Sequence, residues 1–187
     1  MIALTLFSTT LCISTFRQMT QLNKLHAAIR FDIALSDLIQ TTQIERGRSQ
    51  FYLAKKISKE ELDKFRANTD KNIKAVENTL SHLPGQIVEL SNSLTTRIAS
   101  IRIQVNENKS YTVIVQEFSE LIADFIRLQV KAASTAKAEG LESYLISLSI
   151  LEVAKDSAGQ FRGLGTLLLS EKRPLSLETR ANLAVYL

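Results

Sequence analysis

Apolar residues recur three and four positions apart along almost the whole chain, with few interruptions. That spacing predicts long amphipathic helices. The first is expected to run from the N-terminal apolar segment to about Lys56. Its inward stripe reads Leu35, Ile39, Thr42, Arg46, Ser49 and Leu53. Ser58 is a good N-cap, with Glu61 three residues on, so a second helix is expected from there to about His82. Leu83-Pro84-Gly85 is the clearest turn, and Pro84 suits the first turn of a third helix reaching about Val105. The polar run from Asn106 to Ser110 reads as a loop. A fourth helix is expected over Tyr111–Ala138, with Ile114, Phe118, Leu121, Ile122 and Phe125 as its stripe and Gly140 at its end. A fifth covers about Leu141–Leu169, and Ser176 caps a sixth. Long helices with short links pack best as antiparallel up-down bundles, so an all-α fold is expected.

Composition narrows the alternatives. Among 187 residues there are only two prolines and six glycines, which disfavours turn-rich β-sandwiches and barrels as well as doubly wound sheets. The apolar content of 45% and net charge of +4 exclude a disordered chain, and one cysteine excludes a disulfide scaffold.

Charge is unevenly placed. All 23 Lys/Arg and all 19 Asp/Glu fall in residues 17–187, leaving residues 1–16 without a charged side chain. A full membrane span needs about 20 apolar residues, and a secretory signal needs a preceding basic stretch. Residues 1–16 therefore read as a partial membrane helix, an uncleaved signal-anchor, or a helix buried in a core. Residues 17–187 form the expected soluble bundle. With no Pro or Gly between residues 1 and 46, the apolar segment should continue into the first helix of the bundle.

Two positions on the expected interior carry chemistry. Arg46 interrupts the apolar stripe of the first helix and Gly47 follows it, although a helical glycine costs about 1 kcal/mol relative to alanine. Ser49 lies one turn on. In the fifth helix, Leu151, Ala158, Gly165 and Leu169 lie close to one face with Arg162 beside them, and Gly159, Gly163 and Gly165 fall within seven residues. A buried guanidinium is costly unless an anion or a carboxylate satisfies it. Two arginines beside glycine gaps suit a small oxyanion, which accepts bidentate hydrogen bonds from each fork. The competing reading is a closed interior in which Glu45, Glu152 or Asp156 pairs with these arginines. A helix break or close helix crossing also accounts for the glycines. Gly163-Leu164-Gly165-Thr166 lacks the context of a nucleotide loop.

Other chemistries find no support. His26 and His82 are far apart with no cysteine nearby, so no zinc pattern exists. No nucleophile elbow is visible, and Glu60-Glu61 reads as a solvated helix start. Lys55-Lys56 and Lys172-Arg173 are short basic runs among nearly as many acids, so nucleic acid is not an expected partner. No catalytic residue, metal or cofactor is expected.

The stretch Gln43-Ile44-Glu45-Arg46-Gly47-Arg48-Ser49 with Tyr52 resembles the QxERGxS-x-x-Y signature of the nitrate- and nitrite-sensing (NIT) domain family. Arg66 with Thr69-Asp70 resembles its R-x-x-TD element. Ala154-Lys155-Asp156-Ser157-Ala158-Gly159-Gln160-Phe161-Arg162 resembles its second signature, AKE-x-AGQER, with Phe161 in place of a glutamate. Arg97 and Tyr111 also match. The resemblance spans about residues 30–170. It implies a helical sensory input domain, of the kind placed between two membrane helices in bacterial receptors or in soluble regulators; the receptor is expected here, set in the inner membrane by its N-terminal helix, with the sensor outside the cytoplasm and the receptor a homodimer. It implies that nitrate or nitrite is held by Arg46 and Arg162, with Gly47, Ser49 and Gly163 beside them, and that helix movement signals to an output domain. The family domain continues past the second signature, so the chain is expected to be truncated at Leu187. The alternative is a ligand-free dimerisation bundle that transmits signals through internal arginine–carboxylate pairs.

Overall fold

The computed structural model describes residues 2–135 and 141–171. Within them the helices are α1 (Ile2–Leu53), α2 (Lys59–Glu77), α3 (Gly85–Asn106), α4 (Tyr111–Thr135) and α5 (Leu141–Glu171), with a 3-10 turn at Leu80–His82. The expected all-α class holds. The end assigned to the fourth helix at Gly140 and the sixth helix capped by Ser176 lie outside the described residues.

Helix ends follow local hydrogen bonding. The Ser58 hydroxyl accepts from the Glu61 amide at 3.2 Å, as the capping pattern requires. Pro84 is the N-cap of α3 and not part of its first turn, with ψ at 142°. α1 stops at Leu53, before the expected Lys56. There Lys55 adopts φ 55°, and the amides of Lys55 and Lys56 bond back to Tyr52 and Phe51. Asn108 does the same after α3, with φ 54° and amide bonds from Asn108 and Lys109 to Val105 and Gln104. Both are Schellman ends, which usually need glycine at the left-handed position. No glycine marks either place; the polar run from Asn106 to Ser110 still gives the end of α3, but nothing comparable marks the end of α1 at Leu53. The second helix is also shorter than expected, ending at Glu77, with the 3-10 turn completing the link to Pro84.

Side-chain bonds fix the direction of packing. Thr69 donates to the Thr41 carbonyl and Asn72 to the Asp37 carbonyl, so α2 runs antiparallel to α1. Arg46 reaches Ser119 while Gln129 reaches Ser36, which sets α4 antiparallel to α1 as well. α3 packs on α4, and α5 packs against α4 and α1. The core is the meeting of these stripes: Phe31, Leu35, Leu38 and Ile39 with Leu62, Ile98 and Ile101, and with Ile114, Phe118, Leu121, Ile122 and Phe125. All five residues expected on the stripe of α4 are fully buried.

α1 is one continuous helix, about 78 Å long at 1.5 Å per residue, as the lack of breakers predicts. Its described N-terminal side chains, including Leu11, Ile13 and Phe16, are exposed, so this part does not sit in the core of the chain. Among the described residues, no helix is long and apolar enough to cross a membrane.

The face assigned to α5 needs correction. Leu151 and Ala158 are exposed, and the buried stripe is Leu145, Ser149 and Asp156, with Glu152, Gly159 and Gly163 half-buried beside it. Tyr144, Ile150, Leu151, Val153 and Phe161 all stand exposed on the remaining surface. Apolar residues on several sides of α5 hide which face meets the bundle, and only the docking of α5 against α1 and α4 selects it.

One buried acid lies between α1 and α4. Burial pushes the Asp32 carboxyl from 3.8 up to about 6, a hydrogen bond from Gln129 opposes the rise, and the charge of Glu152 adds to it. The folded form holds this proton more tightly than the unfolded chain. The resulting stabilisation is complete below the unfolded value and is lost as pH rises through about 6. Asp32→Asn should therefore raise stability near neutral pH by about 2 kcal/mol and flatten the pH dependence between the two values. Urea unfolding across a pH series reads this out, and an unchanged slope would mean that Asp32 is well solvated.

Candidate functional site

Adjacent residues of α1 face opposite sides of the bundle. Glu45 points to α2 and α3, and Arg46 points to α4 and α5. Both are buried, Glu45 completely.

On the Glu45 side, the Arg102 guanidinium makes a two-pronged contact, Nε to Oε1 at 2.7 Å and Nη2 to Oε2 at 2.8 Å. Arg102 also donates to Asp70 at 2.6 Å and to the Arg66 carbonyl at 3.1 Å. Arg66 lies 3.8 Å from Glu45 and donates to Asp63 and Asn106. Burial alone would lower the Arg102 pKa, but hydrogen bonds and charges from Glu45 and Asp70 outweigh it and hold the guanidinium above its ordinary value. This cluster binds α1, α2 and α3 together. Glu45 was a candidate partner for Arg46 or Arg162, and it serves Arg102 and Arg66 instead. Arg102 was not anticipated, although its place between Ile98 and Val105 on the stripe of α3 is the signal that could have found it.

On the other side, Arg46 is held by Asp156 of α5. Nη2 lies 2.9 Å from Oδ1, and Nη1 lies 3.4 Å from Oδ2 and 3.0 Å from the Ser119 hydroxyl. Gln160 donates to Asp156 Oδ2 at 2.6 Å. A Cβ on Gly159 would stand 3.6 Å from Arg46 Nη2, so the small residue leaves room for the fork. A Cβ on Gly163 would stand 3.3 Å from Gln50 Oε1, which marks a close crossing of α5 over α1. α5 remains helical through all three glycines, so the crossing reading holds and the break reading does not.

Above this pair opens a cavity of about 790 Å³ between α1, the start of α4 and α5. Arg46, Arg48 and Lys56 line it from α1 and the following link, Lys155 and Arg162 from α5, and Tyr111 from α4. Among the described residues its lining has five cationic side chains and no carboxylate. Gln43, Gly47, Gln50, Gly159 and Gly163 complete the polar part of the wall.

Four of the five anticipated residues, Arg46, Gly47, Arg162 and Gly163, thus meet at one cavity from two helices. Ser49 does not join them: it is fully buried and lies off the lining, its hydroxyl without a hydrogen-bond partner. Arg162 is exposed at the cavity and not interior as expected, because the buried face of α5 is turned toward Asp156. Gly47 admits no close neighbour, and a Cβ there would meet open space. Arg97 binds Asp124 at 2.7 Å on the far side of the bundle, away from the cavity. Arg48, Lys56 and Lys155 were not anticipated in this role. Arg48 stacks on Phe65, 4.4 Å from the ring centroid, and Lys155 pairs with Glu152 at 3.0 Å. Among the described residues, no three His, Cys, Asp or Glu side chains are grouped to hold a metal.

The described residues form an all-helical bundle with a cationic cavity between its two motif-bearing helices. The family model described as nitrate and nitrite sensing matches residues 37–186, and the chain belongs to that family. A solved structure, the NasR transcription antiterminator, is similar with a TM-score of 0.76 at 18% identity, covering 95% of this chain and 52% of that one. The chain spans about half the length of that structure, and at this identity the likeness shows the fold. No curated protein matches the chain.

Proposed function

We propose that this chain is the sensory input domain of a bacterial signalling receptor, taking up nitrate, nitrite or a similar small anion between α1 and α5. The observation that carries this reading is a cavity walled, among the described residues, by five cationic side chains and no carboxylate, set between the two helices that bear the family signatures. Arg46 supplies a buried fork at its base and Arg162 a second guanidinium at its wall. Binding would shift the packing of α5 on α1 and pass that shift to an output domain. The receptor would be a homodimer, its second copy covering apolar residues exposed on α5, among them Tyr144, Ile150 and Leu151. The exposed apolar residues Leu11, Ile13 and Phe16 of α1 would meet the inner membrane, with the bundle outside the cytoplasm.

The second reading, a ligand-free bundle that transmits signals, draws on the Arg46–Asp156 pair, which satisfies the buried guanidinium from within. Titration calorimetry with nitrate and nitrite separates the two. Arg162→Ala, on an exposed residue, should leave thermal stability within about 0.5 kcal/mol of the parent and weaken anion binding at least tenfold. Heat that is absent with both anions favours the ligand-free bundle.

A further inference from the structure

We propose that Asp156 is a built-in competitor for the anion: its carboxylate occupies the fork of Arg46, and the anion must displace it to bind. This inference rests on the reading of the cavity as an anion site. The geometry is that of a substitute ligand. A carboxylate and a planar oxyanion such as nitrate both present two oxygens in one plane, and a guanidinium fork takes either in the same two-pronged way. Asp156 sits in that place: Oδ2 accepts from Nη1 at 3.4 Å, and Oδ1 lies 2.9 Å from Nη2 as an ion pair but takes no hydrogen bond. The fork is only partly satisfied by the carboxylate, since Asp156 Oδ1 accepts no hydrogen bond and Ser119 shares Nη1.

The displaced carboxylate cannot stay where it is. Asp156 is buried, and a buried charge without its partner is strongly unfavourable. Gln160 holds one oxygen at 2.6 Å, which is not enough to replace a guanidinium. Asp156 must therefore turn toward the cavity mouth, where Lys155 and Arg162 stand, or move outward with α5. Anion binding thus becomes an exchange. Its observed affinity is the intrinsic affinity of the fork reduced by the fraction of molecules in which Asp156 has let go. The same exchange couples occupancy to the position of α5, because the anion favours only the arrangement in which the internal pair is broken.

The test is calorimetric titration of the whole chain with nitrate. Asp156→Asn keeps the shape and removes the charge, and should bind nitrate about tenfold more tightly than the parent. Asp156→Ala should also tighten binding. Circular dichroism confirms that both remain helical. If the parent binds nitrate and neither variant binds more tightly, Asp156 is not a competitor, and the anion-site reading stands without it. If parent and variants all fail to bind, the anion-site reading falls and takes the inference with it. If both variants lose their helical fold, Asp156 is an anchor of the bundle and the inference is overturned.

Discussion

Glu45→Ala is expected to destabilise the domain by about 3–5 kcal/mol, the range for breaking a buried ion pair. Glu45 has no solvent exposure and accepts both prongs of Arg102. Removing it leaves the Arg102 fork without its main acceptor and takes away the nearest carboxylate of Arg66 on α1. Nε and Nη2 of Arg66 are already buried without a hydrogen-bond partner. Asp70 and Asp63 remain, but they are half exposed and do not tie α1 to the other two helices. The contact between α1, α2 and α3 should therefore loosen first. Glu45→Gln keeps an acceptor and should cost less than the alanine change. Urea unfolding followed by far-UV circular dichroism measures both, and a loss below 1 kcal/mol for Glu45→Ala would show that water replaces the carboxylate.

The second large effect concerns Arg46. Arg46→Ala strips the partner from buried Asp156 and removes the base of the cavity in one step. Stability should fall by about 3 kcal/mol, and nitrate binding should disappear. The two losses have different origins. Adding Asp156→Ala removes the uncompensated carboxylate and should recover much of the stability, since a pair removed together is far less costly than one half removed. It should recover none of the binding. A double-mutant cycle read by both unfolding and calorimetry checks this, and nitrate binding that survives in Arg46→Ala would show that the anion is held elsewhere.

The two arginine–carboxylate contacts of α1 differ in kind. Glu45 is enclosed on all sides and shared by two guanidinia, which suits a permanent fastener. Asp156 is bound to one guanidinium at the base of an open cavity. Consecutive residues of one helix thus bind a fixed half of the bundle, α2 and α3, and the half that carries the second signature, α5.

Much of the fold was legible from spacing. The three-four repeat located α1 to α4, and the buried positions Leu35, Ile39, Thr42, Arg46 and Ser49 fall where the stripe placed them. The end of α1 was harder to read, because the left-handed residue there is Lys55 and not glycine, whereas the polar run from Asn106 to Ser110 placed the end of α3 within about a residue. The face of α5 was misjudged because apolar residues sit on several sides of it. Of the site, Arg46, Gly47, Arg162 and Gly163 were found as polar or flexible positions in a helical pattern. Arg102 was missed although it stands on the stripe of α3 between Ile98 and Val105, and nothing local distinguishes Arg48, Lys56 and Lys155 from other surface charges.

Sequence alone determined that the chain is helical, that Arg46 faces inward, and that its charge needs an answer. Those facts follow from periodicity and from the cost of burying a guanidinium, both properties of one helix. The tertiary structure decided which carboxylate answers which arginine. Glu45 lies next to Arg46 in the chain yet faces away from it, and Asp156, on another helix, reaches the fork. Partner choice among buried charges depends on the rotation of each helix about its axis, and packing sets that rotation.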